Sequence, residues 1–459
     1  MTGKTTVKAH TSGHSIMKAL VQFVVFVLYR SLEIAGPIDH TRRGPVLGVV
    51  THFGGLADGL VVVDSSSRWP RLMAKDVIFK APVVGWLASY FGGIPVHQPA
   101  KGSSPEERRE FATSMFSSAH AALEQPSYVV IFPEGVTREE PSMAPVRTGA
   151  ARIVLGARAD GTRNITILPQ AIHYGDRATL RSRVFLNVGE PIALESWVAD
   201  NIPSGESEGP DNHAAVAKLT ADIEERMRAI APDYSNWREA HLLSLAAETA
   251  LREDLPDHAQ VVEYADRERV AAAINRESTP EQKERVLDAA SAYDTQLQAL
   301  GIGDQGLDLR AEQPGRLYRF LIGSLVKMLI VLPFAALGLF INWIPAILTY
   351  LSGWLPVSDP VKSTIRPAVA VLTFGATWLL LIWSGLELAL VADAGWVALC
   401  LVGLPLTLIA LIWMSEQLVL IKRALFAWHR ARRPEDVMQA VLDTRTETVA
   451  AVAATGVVS

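Results

Sequence analysis

The stretch Pro45-Val46-Leu47-Gly48-Val49-Val50, followed at once by Thr51-His52-Phe53-Gly54-Gly55-Leu56-Ala57-Asp58, decides the fold of this chain. Its first six residues form a continuous apolar run, which predicts a buried strand. His52 therefore lies where a strand opens into a glycine-rich loop, a usual position for a reactive side chain. Because a nearby carboxylate holds an imidazole in one tautomer as a general base, His52 and Asp58 are candidate catalytic residues.

A second strand-like run, residues 128–132, ends at Pro133-Glu134-Gly135. A glycine-rich stretch followed by basic residues is a place to hold phosphate. Taken alone, each motif is also compatible with a structural role. Further strand candidates at 71–74 and 183–188, with a helix candidate at 106–123, make residues 40–200 alternate between the two element types. This alternation predicts an α/β layer fold.

Further blocks accompany the His52 motif in a fixed order. They are residues 52–58, residues 92–99 (Gly-Gly-Ile-Pro-Val-His-Gln-Pro), residues 132–137 continuing to 145–152, and residues 167–172. Together they resemble the glycerol-phosphate acyltransferase family, which includes the lysophosphatidate acyltransferases. The resemblance spans roughly residues 45–191, and it implies a mixed β-sheet flanked by helices.

The resemblance also implies roles for individual residues. His52 would deprotonate a hydroxyl of the acceptor, and Asp58 would orient the imidazole, as in a triad whose nucleophile is the substrate. The implied substrate-binding residues are Glu134, Gly135, Thr137, Arg138, Arg147 and Lys101. No metal or cofactor is implied, since acyl-CoA or acyl-carrier protein serves as co-substrate.

Two features depart from the common family pattern. Five residues separate His52 from Asp58, where most of the family has a shorter spacing. This longer spacing, and the segment Lys362-Ser363-Thr364-Ile365-Arg366, resemble the branch of fungal and plant-type glycerol-3-phosphate or dihydroxyacetone-phosphate acyltransferases. Gln98 stands where the family usually has arginine, so Lys101, Arg138 or Arg147 would supply the charge for phosphate.

The implied function is transfer of a fatty acyl group to the sn-1 hydroxyl of glycerol 3-phosphate in phospholipid synthesis. An alternative is acylation of lysophosphatidate at sn-2. An alternative of another class is an inactive acyltransferase-like membrane scaffold. The net charge of −5 excludes nucleic acid as an expected partner, and the single cysteine, Cys400, excludes a disulfide framework or a cysteine metal cluster.

The domain organisation follows from composition along the 459 residues. Residues 1–36 are expected to be a flexible tail and an N-terminal interfacial helix, because the apolar stretch 19–29 is shorter than the ~20 residues that a span needs. A buried core helix is the alternative there. Residues 37–200 are the α/β domain and 201–315 a helical appendage, in which Thr279, Pro280 and Gln282 predict a helix start.

Residues 316–433 are predicted to be a membrane domain. The stretches 368–390 and 396–421 are long enough to span a bilayer, and basic residues at their outer ends place both of these ends in the cytoplasm. The apolar stretch 320–355 contains two prolines and is either a single span or, as we favour, a re-entrant segment. Residues 434–459 are a C-terminal tail. We therefore expect an integral membrane protein whose partner is the lipid bilayer and whose catalytic domain is cytoplasmic.

Overall fold

The computed structural model describes residues 12–39, 43–80, 84–90, 92–96, 104–125, 127–177, 179–253, 262–304, 307, 314–388, 393–430 and 435–458. The chain divides into two units. The first contains the residues up to Asp233 together with Val357–Thr364, and the second contains Tyr234–Pro356 and Ile365–Ser459.

The first unit is built on a β-sheet. Its strands are β1 (Tyr29–Ala35), β2 (Val46–Val50), β3 (Arg71–Lys75), β4 (Ile94–Val96), β5 (Tyr128–Ile131), β6 (Thr166–Tyr174), β7 (Ser182–Val188) and β8 (Ile192–Ala193). Its helices are α1 (Ser12–Leu28), α2 (Leu56–Ser65), α3 (Asp76–Lys80), α4 (Val84–Tyr90), α5 (Pro105–Glu124), α6 (Gly149–Ala159), α7 (Leu194–Asn201) and α8 (His213–Arg228).

The strands of the described sheet run in the order β1-β7-β6-β2-β5-β3-β4, and β8 pairs with β6. The pairs β6–β7 and β6–β8 are antiparallel, whereas the others are parallel, so the sheet is mixed. β2 lies at the centre between β5 and β6. The carboxyl end of this central strand, where His52 follows, is therefore flanked by two other strands.

Apolar side chains cover both faces of β2, which explains its unbroken hydrophobic run. Leu47 and Val49 pack in one buried cluster, and Val46 and Val50 pack in another. Alternate residues of a strand point to opposite faces, so the two clusters lie on the two sides of the sheet. The predicted strands at 45–50, 71–74, 128–132 and 183–188, and the helix at 106–123, are confirmed as β2, β3, β5, β7 and α5.

One boundary differs from that expected, and helix α1 is partly buried. The appendage was expected to begin at residue 201, but α8 lies in the first unit, where Trp197 Nε1 donates to Asp222 on α8 at 2.6 Å. Helix α1 has one face in the core, with Val25 and Leu28 buried, while Ile16 is 73% exposed. The buried face fits the alternative of a core helix, and the interfacial role of α1 stays a prediction.

The second unit contains a helical bundle and the long apolar helices. Its helices are α9 (Trp237–Glu253), α10 (Tyr264–Glu277), α11 (Pro280–Leu300), α12 (Pro314–Leu351), α13 (Asp359–Glu387, whose first residues belong to the first unit), α14 (Asp393–Arg430) and α15 (Glu435–Ala453). The predicted start of α11 is confirmed, since Thr279 and Gln282 form a capping box, and Gly301 ends the helix in the left-handed conformation.

The segment expected to be a C-terminal tail forms α15, which packs into the bundle. Val441 and Val452 are fully buried among residues of α9, α10 and α11. The Arg445 guanidinium on α15 lies 3.0 Å from Asp304, and Arg252 on α9 lies 2.6 Å from the same carboxylate. One buried carboxylate thus joins α15 to the helices that precede the membrane region.

Three helices in the described residues are long and apolar enough to cross a membrane, Tyr318–Trp354, Val361–Glu387 and Ala394–Phe426, which fits a membrane-embedded protein. α12 is one continuous helix of 38 residues, about 57 Å long, and does not make the re-entrant bend that the sequence favoured. Pro333 and Pro345 lie inside this helix. A proline removes one backbone hydrogen bond, but it need not end a helix that neighbouring helices support.

α12 and α14 run antiparallel. Gly338 lies against Thr407 and Leu411, while Met414 clusters with residues of α12 nearer its N-terminus. α13 is joined to α12 by a polar contact, since Trp378 Nε1 donates to Oδ1 of the buried Asn342 at 2.8 Å.

Candidate active site

The dyad lies at the carboxyl end of the central strand. His52 follows β2, and Asp58 is in the first turn of α2, so the loop between them folds the two side chains together. Nδ1 of His52 lies 2.8 Å from Oδ2 of Asp58. The Asp58 side chain is fully buried, whereas that of His52 is 20% exposed. A carboxylate at Nδ1 assigns the proton to that nitrogen, so Nε2 is the basic nitrogen of the neutral ring.

Asp58 accepts further hydrogen bonds that orient it. The backbone N–H of Gly54 lies 3.0 and 2.9 Å from its two oxygens, and the Tyr174 hydroxyl at the end of β6 donates to Oδ1 at 2.7 Å. A Cβ on residue 54 would come within 2.5 Å of the Tyr174 oxygen, so this close approach requires glycine. Burial and the Asp58 charge raise the pKa of Tyr174 well above its usual value, which keeps the hydroxyl as a donor.

Glu134 holds the backbone of the loop that contains His52 by accepting hydrogen bonds. Its carboxylate is buried and accepts from the backbone N–H of His52 at 3.0 Å and from that of Ala144 at 2.8 Å. Burial raises the pKa of Glu134, while these two backbone donors oppose the rise. The Phe132 ring stacks on the His52 ring, with centroids 4.4 Å apart. Glu134 was predicted to bind substrate, and its described contacts are those of a residue that holds the His52 backbone.

Gly135 and Arg147 lie together on the exposed side of this loop. Gly135 has φ +69°, and a Cβ there would meet the Arg147 guanidinium at 3.1 Å, so glycine allows the cation to approach the turn. Arg147 is exposed, and its backbone N–H donates to Pro133 O at 3.0 Å. A guanidinium beside a turn is a geometry that suits a bidentate phosphate contact.

The remaining predicted binding residues differ in placement. Thr137 is exposed next to this turn. Arg138 donates its backbone N–H to His52 O at 3.2 Å. Its Nε lies 3.2 Å from Glu140, so the guanidinium already pairs with a carboxylate. Lys101 and Gln98 lie outside the described residues.

Arg177 follows β6 and holds two loops of the site together, a role that the sequence did not indicate. Its guanidinium donates to the carbonyl oxygens of Phe53 at 3.1 Å, Arg138 at 2.7 Å and Glu139 at 2.8 Å. It thereby ties the dyad loop to the Glu134 loop. Burial lowers the pKa of Arg177, and Asp359 is the largest of the charges that oppose this effect. Nothing in the local sequence of Arg177 signals this role.

Two hydroxyl residues from far along the chain also reach the dyad loop. Ser363 Oγ donates to Gly54 O at 2.8 Å, and Thr364 Oγ1 accepts from the backbone N–H of Leu56 at 3.1 Å. The sequence marked residues 362–366 only through the family resemblance, without a role.

The arrangement provides a buried carboxylate, a partly exposed base and a nearby cation. These parts can remove a proton from a hydroxyl whose anionic group is held at Arg147. Within the described part of the chain, no group of three or more His, Cys, Asp or Glu side chains is arranged to hold a metal ion.

Residues 32–173 match the Acyltransferase family model, and the chain therefore carries an acyltransferase domain. The matched region contains the dyad, Glu134 and Arg147. The chain is 34% identical over 126 residues to glycerol-3-phosphate O-acyltransferase 2 of Saccharomyces cerevisiae. That alignment covers 27% of this chain but only 16% of the yeast protein, so the chain matches less than a fifth of its relative's length.

The chain is also similar to a solved structure, the 1-acyl-sn-glycerophosphate (LPA) acyltransferase PlsC from Thermotoga maritima. The TM-score is 0.32 at 14% sequence identity, covering 48% of this chain and 83% of that one. A TM-score this low supports no conclusion about the present chain.

Proposed function

We propose that this protein is a membrane-bound O-acyltransferase that transfers a fatty acyl group from acyl-CoA or acyl-carrier protein to the sn-1 hydroxyl of glycerol 3-phosphate. The observation that carries the proposal is the 2.8 Å contact between His52 and the buried Asp58, inside a domain that matches the Acyltransferase family. The partial likeness to a yeast glycerol-3-phosphate O-acyltransferase supports the choice of acceptor.

In the proposed reaction Nε2 of His52 takes the proton of the acceptor hydroxyl. The oxygen attacks the thioester carbonyl carbon, a C–O bond forms, and the C–S bond breaks. The imidazolium, stabilised by Asp58, then returns its proton to the leaving thiolate. Atoms and charges balance with the thioester and the alcohol alone, and His52 ends in its starting form.

The acceptor's phosphate would bind at Arg147, beside Gly135 and Thr137. A guanidinium makes two parallel hydrogen bonds to a phosphate, which fixes orientation as well as charge. Lys101 remains a candidate for the same role on the basis of its position in the sequence. The apolar helices would keep the domain at the bilayer that receives the lipid product, with the domain on the cytoplasmic side, where acyl thioesters are supplied.

The test uses the full-length protein purified in detergent micelles. It is offered acyl-CoA with radiolabelled glycerol 3-phosphate, dihydroxyacetone phosphate or lysophosphatidate, and the acylated product is counted. We expect glycerol 3-phosphate to be the best acceptor, and His52→Ala to lower turnover by roughly 10²–10⁴. Acyl-carrier protein carrying the same chain is compared as donor.

A second His–Asp pair provides a matched control. His120 Nδ1 lies 2.7 Å from Asp160, between α5 and the end of α6, so His120→Ala removes the same type of contact elsewhere in the unit. This variant should retain activity close to that of the parent. Normal turnover of His52→Ala would overturn the proposal, and preferred acylation of lysophosphatidate would replace the acceptor.

A further inference from the structure

The segment Val357–Thr364 belongs to the first unit although it follows α12 in the chain. Ser363 is 4% exposed and donates to the carbonyl of Gly54, and Thr364 accepts from the N–H of Leu56. The two hydroxyls bind backbone groups on either side of Gly55. They therefore hold both peptide groups of the turn from which α2 starts.

The start of α2 lacks a cap of its own. Its N-cap residue is Gly55, which makes no side-chain hydrogen bond to the helix. The first N–H groups of a helix have no partner within the helix, and a side-chain oxygen usually accepts from one of them. Thr364 supplies such an oxygen to Leu56, the first residue of α2, from more than 300 residues away.

This turn is the one that sets the geometry of the dyad. Asp58 lies two residues after Leu56, and the N–H of Gly54 donates to the Asp58 carboxylate. The same peptide region is thus bound on one side by the catalytic carboxylate and on the other by Ser363 and Thr364. A shift of the turn would move Asp58 relative to His52.

The segment also places the charge of Asp359 near the Arg177 guanidinium. Asp359 opposes the lowering of the Arg177 pKa, and the Arg177 guanidinium binds the carbonyl of Phe53. The segment thus acts on residues 53–56 directly through its two hydroxyls and electrostatically through Asp359 and Arg177. Its position in sequence, at the start of an apolar helix, does not indicate such a role.

We propose that Ser363 and Thr364 are positioning residues of the acyl-transfer site, which hold the Gly54–Leu56 turn so that Asp58 orients His52. The proposal rests on the proposed function for the reaction that it measures. Ser363 and Thr364 lie in the first turns of α13, within the apolar candidate span Val361–Glu387. The segment Val357–Thr364 then helps to position the catalytic pair and is not only the start of an apolar helix.

The experiment compares Ser363→Ala, Thr364→Val, the double variant and Thr364→Ser in the full-length protein. Thr364→Val keeps the branched shape and removes the acceptor oxygen, whereas Thr364→Ser keeps the oxygen. A misplacement of about 1 Å can cost roughly 10²-fold in rate. We expect about a tenfold loss of kcat in each single removal variant, a larger loss in the double variant, and near-parental kcat in Thr364→Ser. KM for the acceptor should change less than threefold, about 0.65 kcal/mol.

Two hydroxyl residues of the same helix provide matched controls. Thr373 Oγ1 donates to Val369 O and Ser384 Oγ donates to Leu381 O, both within α13. Thr373→Val and Ser384→Ala make the same chemical changes without touching the dyad loop, and both should keep the parental kcat. The thermal unfolding midpoint is recorded for every variant, so that loss of activity is compared among proteins that are equally folded.

Parental kcat in the double variant, with a normal melting profile, would overturn the inference. An equal loss of kcat in Thr373→Val would also overturn it, because the effect would then belong to the helix in general. The His52→Ala enzyme separates this result from the proposed function. If His52→Ala is inactive while the double variant is fully active, only the positioning role fails. If His52→Ala is active, the proposed function fails.

Discussion

Asp58 is a fully buried carboxylate whose described donors come from two parts of the chain, the dyad loop and the end of β6. The donors are the imidazole of His52, the backbone of Gly54 and the hydroxyl of Tyr174. The hydroxyls of Tyr174 and Tyr29 also share a hydrogen bond, which helps to hold Tyr174 against the carboxylate. Buried carboxylates need such donors because an unsatisfied charge is costly to bury.

We predict that Tyr174→Phe lowers kcat by about 5- to 20-fold. The ring remains, but Asp58 loses one donor, and a hydrogen bond to a charged group is worth about 1.5–3 kcal/mol, part of which would appear in the rate. The measurement is steady-state acyl transfer with the acceptor saturating.

Tyr293→Phe is the matched control for this change. Its hydroxyl donates to the buried Asp304 of the second unit, so it belongs to a different hydrogen-bond network. This control should melt at a lower temperature than the parent and keep its kcat per folded molecule. An unchanged kcat in Tyr174→Phe would show that Gly54 and His52 suffice to orient Asp58.

Arg147 tests the acceptor site. We predict that Arg147→Ala raises KM for glycerol 3-phosphate about tenfold or more and KM for acyl-CoA much less, because a charge-assisted contact to phosphate contributes about 1.5–3 kcal/mol. Arg147→Lys should be intermediate, since it keeps the charge but not the bidentate geometry. The control is Arg226→Ala, an exposed arginine that binds the carbonyls of Glu190 and Pro191. Equal effects on both substrates would place Arg147 on the donor side or in a structural role.

At the scale of elements, α15 shows how a polar C-terminal segment becomes part of a core. Its Val441 is fully buried against residues of α11, and Arg445 pairs with Asp304. The helix is amphipathic only weakly, and its partner surface lies far away in the chain, which explains why composition alone suggested a tail.

We predict that Val441→Asp destabilises the helical bundle by several kcal/mol, since it buries a carboxylate without a partner. The control is Thr446→Asp on the exposed side of the same helix, which should be nearly neutral. Limited proteolysis of the micellar protein, read at the residues of α9 to α11, is the measurement. Equal resistance of the two variants would mean that α15 contributes little to the bundle.

At the scale of the whole molecule, the shared core of α15 with α9 and α11 constrains the membrane topology. Segments that pack in one core lie on one side of a bilayer, so the chain crosses an even number of times between residues 307 and 435. We therefore predict that only two of the three candidate spans cross completely. Two crossings, as the sequence predicted, satisfy this condition even though α12 is a continuous helix.

We predict that cysteines introduced at Glu284 on α11 and at Glu447 on α15 label from the same side of sealed vesicles, in a Cys400→Ala background. A cysteine at Ala394, at the start of α14, should label from the opposite side. A cysteine at Ser358, between α12 and α13, reports which helix stays on one side; a non-crossing α12 requires it to label with Glu284. Labelling of Glu284 and Glu447 from opposite sides would contradict the shared core.

The sequence by itself determined the features that depend on neighbouring residues. Three features depend on only a few neighbouring residues and can therefore be predicted from the sequence. They are the apolar run of β2, the capping box of Thr279 and Gln282, and the left-handed conformation of Gly301. The dyad belongs to the same class. His52 and Asp58 are separated by a single short loop, and this short separation keeps the two side chains close enough to contact each other.

Only the tertiary structure decided which distant residues complete the site. Tyr174 reaches Asp58 because β6 lies beside β2 in the sheet, and Ser363 and Thr364 reach the loop because the chain returns to the first unit after α12. Glu134 and Arg177 hold the loops in place because backbone groups of those loops lie within hydrogen-bond distance of their side chains. Such contacts depend on strand order and on the path of the chain, and neither leaves a periodic or local signal in the sequence.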